Sequence, residues 1–337
     1  MASPSTTYMN IKLENPVIAG ASSLTSHMDP IKKIADDGAA ALVISSLFEE
    51  QIQLERLKLD EDIEKIRYRH PEMIEIFPDM EHAGPDEHLT WVRRAKENVH
   101  IPVIASLNAV NKDTWVEYAR LLGQTGVDGL ELNFFATPSD FERSAAQIED
   151  EQLSVLEEVK SAVDVPVSVK LSINYTNPLH FIKRVDDLGV EGMVLFNRFF
   201  QPEINVETEE NEFPFNLSVQ NDNRLPLRYA GLLYDQIKSD VCASTGIMDG
   251  NDVIKMILAG AKCVQCVSTM YLNEVSVLKK MVSDVEQWME KHGYESLDDF
   301  RGKLSKKNSS DPWRYTRAQY AKALMNPSAY LENRPVI

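Results

Sequence analysis

The side chains of this 337-residue chain that could do chemistry fall into two groups. The first is Lys170 with three amides, Asn108, Asn133 and Asn197, each at or near the end of an apolar run: SVKLS, IASLN, GLELN and VLFN. The second is a pair of small polar loops, Thr245-Gly246 and Ser268-Thr269, whose backbone N–H groups could cradle a phosphate. No carboxylate pair stands with them, because Glu131 lies two residues short of its strand tip. That argues against glycosidase or metal-assisted chemistry. A lysine among amides, a phosphate anchor and an open Ala19-Gly20-Ala21 stretch where something flat could lie together suit FMN. A lysine beside the N1/C2=O edge would stabilise the negative charge that a flavin gains on reduction. Other readings stay open: Lys170 as the Schiff base of a lyase or isomerase acting on a phosphorylated metabolite, Asn133 and Asn197 as satisfied core amides, the loops as ordinary turns.

These residues need strands to hold them. From Asp240 to Tyr271 the chain reads strand, small loop, helix, strand, small loop. Asp249 or Asn251 can cap the helix and Gly260 can end it. The same pattern recurs: Gly38 precedes AALVISS, Gly126 precedes VDGLELN and Gly189 precedes VEGMVLFN, while prolines 102 and 166 introduce IASLN and SVKLS. With PVIAGAS and VCASTG this makes eight strands, rich in Val and Ile, separated by helical patterns. The sequence therefore predicts an α/β fold, a (β/α)8 barrel, with long insertions at 48–88 and 198–224 after strands 2 and 6. Residues 8–15 are expected to form a hairpin closing the barrel bottom, and a long helix over about 272–292 to seal it. Residues 1–310 form one domain in this reading. The tail 311–337 is expected to be helical and to pack on the barrel or a second subunit.

Composition narrows the partners. A net charge of −17 disfavours nucleic acid and anionic membranes, and no apolar run approaches the ~20 residues of a membrane span. A small-molecule substrate and a cytoplasmic setting are expected. The three cysteines include Cys263 and Cys266 at CxxC spacing in a strand, where residues three apart point to opposite faces. An iron–sulfur cluster in this chain, or any metal, is therefore not expected. With no dinucleotide fingerprint either, the sequence does not show an electron acceptor; a soluble compound or a separate partner protein could serve.

In order, NPVIAGAS, ELN, VSVKLS, FN and STGI-x-x-G-x-D-x-x-x-x-I-L-A-G-A-x-x-V-Q resemble the soluble, class 1 dihydroorotate dehydrogenases through most of residues 10–303. The resemblance implies a homodimer and FMN held by Ala19, Gly20, Asn133, Lys170, Asn197, Thr245, Gly246, Ser268 and Thr269. The mouth adds Ala21, Ser45 and Asn108 to that set. It implies oxidation of dihydroorotate to orotate in pyrimidine biosynthesis, with Asn133 and Asn197 orienting the substrate. The sequence departs from the family at three places. Where the family has Thr-Lys-Ser after strand 2, this chain has Ile44-Ser45-Ser46. Where it has Leu-Ser-Cys-Pro-Asn after strand 4, this chain has Phe134-Phe135-Ala136-Thr137-Pro138, so Ala136 stands at the base position. Either Thr137, Ser139 or a group from the 48–88 insertion takes its part, or the substrate differs, and Thr137 is the candidate named here. After strand 6, Asn-Ser becomes Asn197-Arg198, and Arg198 could grip a substrate carboxylate or pair at the surface. A flavin-binding protein without catalysis is the further alternative.

Overall fold

The computed structural model of the chain describes residues 2–53, 85–135, 141–198, 202–212 and 217–325. Eight strands form its centre: β1 Val17–Ala19, β2 Ala41–Val43, β3 Val103–Asn108, β4 Gly129–Phe134, β5 Val167–Leu171, β6 Gly192–Leu195, β7 Asp240–Ser244 and β8 Cys263–Cys266. Each pairs parallel with the next, and Cys266 opposite Ala19 brings β8 back to β1, so the sheet is a closed barrel. Residues 47–48 pair again with the top of β3 beyond β2. Eight helices follow the strands: α1 Met28–Asp36, α2 Pro85–Asn98, α3 Lys112–Gly123, α4 Ala145–Ala162, α5 Pro178–Asp187, α6 Arg224–Leu233, α7 Gly250–Ala259 and α8 Val277–His292. The strands lack apolar alternation because both faces are covered; all five residues of β5 are buried, Lys170 included.

Inside the barrel the period of two separates a lower, apolar layer from an upper, polar one. Ile18, Val43, Ile104, Val194, Cys242 and Cys263 cluster below. Ser106, Glu131, Ser168, Lys170 and Gln265 are buried above. Cys263 belongs to the interior cluster, whereas Cys266 packs outside against Met281, as a three-residue step along a strand requires. Burial pushes the thiols of Cys242 and Cys266 up.

The bottom is closed by an antiparallel hairpin, Thr6–Tyr8 with Ile11–Leu13, two residues earlier than expected. Met9 and Asn10 both take positive φ, 53° and 62°, the two-residue turn that suits a twisted hairpin. Asn15 instead turns back on the chain, its Oδ1 accepting from Val17 N–H at 2.9 Å. The Tyr8 ring fills the floor so closely that a Cβ at Gly192 would lie 2.8 Å from it.

Asp249 caps α7, its Oδ1 accepting from Asp252 N–H at 3.0 Å, and Gly260 ends the helix at φ 132°. The helix expected over about 272–292 starts later than expected. A short helix, Ser268–Leu272, stops before Glu274 at φ 61°, and α8 starts only at Val277. The insertion after β6 carries an exposed antiparallel hairpin, Glu203–Asn205 with Glu210–Glu212, which the charged sequence gave no reason to expect. Most of the insertion after β2 lies outside the described residues. Its start, the buried Glu49, accepts from Asn111 N–H at 2.7 Å and from Val110 N–H at the entry to α3. Beyond 310, Tyr315 donates to Leu304 O at 2.6 Å and its carbonyl accepts from Arg228 at 2.7 Å, tying the tail to α6. Trp313 and Tyr320 are exposed.

Candidate active site

A cavity of about 550 Å³ opens at the C-terminal ends of the strands, the face on which this fold carries its sites. It has two polar regions. In one, Asn197 Nδ2 donates to Asn133 Oδ1 at 2.7 Å, and Asn108 Nδ2 donates to the Asn133 carbonyl at 3.1 Å. Asn133 and Lys170 are register partners on β4 and β5, which sets them side by side. Lys170 Nζ donates to Gln265 Oε1 at 3.3 Å and stands 3.6 Å from Glu131 Oε1.

The other region joins the two small loops. Thr245 and Gly246 have φ of 79° and 73°, two successive left-handed residues that turn the chain sharply at the end of β7. Thr245 is anchored by its hydroxyl, which donates to Phe196 O at 2.9 Å. Ser218, from the insertion after β6, sits across the loops. Its Oγ accepts from Gly246 N–H at 3.2 Å and donates to Ser268 Oγ at 2.8 Å. Thr269 turns away, its Oγ1 donating to Met248 O at 2.9 Å.

Of the residues expected at the cofactor, Ala21, Ser45, Asn108, Asn133, Lys170, Asn197, Thr245, Gly246 and Ser268 line this cavity. Ala19, Gly20 and Thr269 are buried next to the lining rather than in it. Arg198 lines the cavity with its Nη1 2.6 Å from Asp222 Oδ2, so an acidic partner from the same insertion shares its guanidinium. Ser45 Oγ accepts from Ser26 Oγ at 2.9 Å. Thr137, with Ala136 and Pro138, lies outside the described residues.

The sequence alone does not single out Gln265 or Ser218, and it sets Glu131 aside as lying short of the strand tip. Parity held the signal for two of them: Glu131 is two residues from Asn133, and Gln265 two from the interior Cys263, so each shares an inward face. Nothing local marks Ser218, which arrives through a long insertion.

The residues fit a flat phosphorylated cofactor on structural grounds. A Cβ at Gly20 would lie 2.8 Å from Val267 Cγ2, so the end of β1 packs directly against the loop after β8 beside the cavity. Next to Gly246, the N-cap residue of α6, Asn223, has a buried Nδ2 without a hydrogen-bond partner, a donor that an anion would satisfy.

Barrel, buried lysine and twin loops at the strand ends define a barrel enzyme of the cofactor-holding kind. The sequence profile of dihydroorotate dehydrogenase matches residues 80–289, and the chain belongs to that family. It is similar to the catalytic subunit of dihydroorotate dehydrogenase B (NAD(+)) of Methanocaldococcus jannaschii, with 24% identity over 83% of this chain and 91% of that one. The corresponding subunit of Thermoplasma acidophilum is 25% identical over 90% and 99%. Dihydroorotate dehydrogenase A (fumarate) of Lactobacillus helveticus is 27% identical over 60% and 68%.

Proposed function

We propose that the chain is an FMN-dependent oxidoreductase acting on a CH–CH bond, with dihydroorotate as substrate and orotate as product. Membership of the dihydroorotate dehydrogenase family supports the reaction. The observation that carries the site is a single lysine, 7% exposed, at the polar end of a cavity whose other end is two phosphate-type loops. FMN held there would supply a two-electron hydride acceptor whose N1/C2=O edge becomes negatively charged on reduction. Lys170 would place an ammonium against that charge. Gly246, Thr245, Ser268 and Ser218 would hold the phosphate, while the Asn133–Asn197 pair would present amide groups to the substrate. Arg198 would receive an anionic substrate by exchange with Asp222. The proton from the carbon next to the hydride donor must reach a base, and Thr137 is assigned that part on sequence grounds alone.

The Schiff-base reading of Lys170 gains nothing here, since its Nζ is turned to Glu131 and Gln265. No helix among the described residues is long and apolar enough to cross a membrane. Cytoplasmic location, a homodimeric state and a place in pyrimidine biosynthesis belong to the proposal. The purified protein is expected to be yellow and to release one FMN per chain on denaturation. A colourless protein that FMN cannot reconstitute would sink the flavin reading.

A further inference from the structure

At the floor of the cavity lies a buried polar chain, Lys170, Gln265 and Glu131, of which the reaction as described uses only the lysine. Gln265, 1% exposed on β8, reaches across the barrel to two partners. Its Oε1 accepts from Lys170 Nζ at 3.3 Å, and its Nε2 donates to Glu131 Oε2. Glu131, also 1% exposed, turns its second oxygen to the same ammonium at 3.6 Å. That oxygen has no hydrogen-bond partner, so the lysine is its compensation.

The directions follow from the chemistry of the groups. A carboxylate only accepts, so it compels the Gln265 amide to point its NH2 at Glu131 and its oxygen at Lys170. An ammonium has three N–H groups. Two are drawn down towards Gln265 and Glu131, which leaves the third for the cavity that Lys170 lines. A free lysine side chain has four rotatable carbons and no preferred heading. Here the heading is fixed from below.

We infer that Gln265, oriented by Glu131, is a positioning residue: it fixes the Lys170 ammonium under the cofactor and so sets the reduction potential of the bound flavin. The inference rests on the flavin reading above. Gln265 is uncharged, so its influence on the potential runs through the lysine rather than through a field of its own.

A double-mutant cycle on the FMN-loaded protein tests this, with the two-electron midpoint potential as readout. Lys170→Met should move the potential to more negative values. Gln265→Met should move it the same way by less, and should add no shift once Lys170 is already Met. Gln265→Asn keeps the amide but withdraws it by one methylene, and should give a smaller shift with the same dependence on Lys170. It serves if Met at 265 prevents folding. Equal shifts from the Gln265 variants with and without Lys170 would mean that Gln265 acts on the cofactor directly, and would overturn the inference. So would an unchanged potential while Lys170 is present. If the unaltered chain binds no FMN, the flavin reading fails first and takes this inference with it, before any variant is made.

Discussion

Lys170 is buried among neutral amides and one carboxylate, and its charge is what the proposed chemistry needs most. Lys170→Met should leave FMN bound through the loops at the other end of the cavity while slowing substrate reduction of the flavin by about 10²–10³-fold, the usual cost of removing one well-placed stabilising group. Stopped-flow reduction under anaerobic conditions measures it; a change of less than about threefold would remove Lys170 from the reaction. Lys170, Asn133 and Asn197 were legible from sequence because each ends an apolar run, and strand ends are where a barrel keeps its chemistry. Glu131 was legible as lying short of the strand tip, but its support of Lys170 was not. Two positions below the tip is still the inward face, so the carboxylate supports the lysine from beneath instead of meeting the substrate. Thr137 rests on sequence alone, in a stretch whose geometry is not described.

Two buried groups near the insertion after β2 make stability depend on pH. His88 on α2 is held in its neutral form by burial, which lowers its pKa from 6.5 to about 4, and its Nε2 has no partner. The unfolded chain binds a proton near pH 6.5 that the folded chain refuses. Stability from this group is therefore complete above that pH and falls as the pH drops towards about 4, by up to about 3 kcal/mol. Urea unfolding at pH 7 and pH 4.5 should show the loss, and His88→Leu should reduce it; an unchanged slope in that variant would clear His88. Glu49 works in the same direction. Burial opposes its charge, but hydrogen bonds from Asn111, Val110 and Gln53 prevail and hold its carboxyl below the usual value of 4.5. Its contribution is present above that value and lost as the pH falls below it. Glu49→Gln should cost about 2 kcal/mol, read from the shift in unfolding midpoint at pH 7. Barrel elements were readable because Gly and Pro punctuate them. The break at Glu274 was not, because nothing in its residue type announces a positive φ. The hairpin at 203–212 also stayed hidden, since its strands are three residues each and the second, Glu210-Asn211-Glu212, has no apolar residue.

Across the whole molecule, the interior divides the labour. The apolar layer and its Tyr8 plug hold the barrel, and the polar layer above faces the cavity. Tyr8→Ala should therefore cost about 3–5 kcal/mol in denaturant unfolding while leaving FMN affinity within about twofold at low temperature. A loss of FMN that parallels the loss of stability would show that the layers are not independent. The barrel itself was legible because eight repeats of one pattern admit few closed arrangements. The closing of the insertion after β6 onto the two small loops was not, because Ser218 meets Ser268 across fifty residues of sequence.

The central claim is that this barrel oxidises dihydroorotate although Ala136 stands where its family resemblance places the base. Anaerobic titration of the as-isolated protein with dihydroorotate, followed by the visible spectrum, tests it most directly. The flavin band should bleach in proportion to dihydroorotate added, with orotate formed in equal amount. A band that survives excess dihydroorotate would contradict it and move the search to another cyclic substrate.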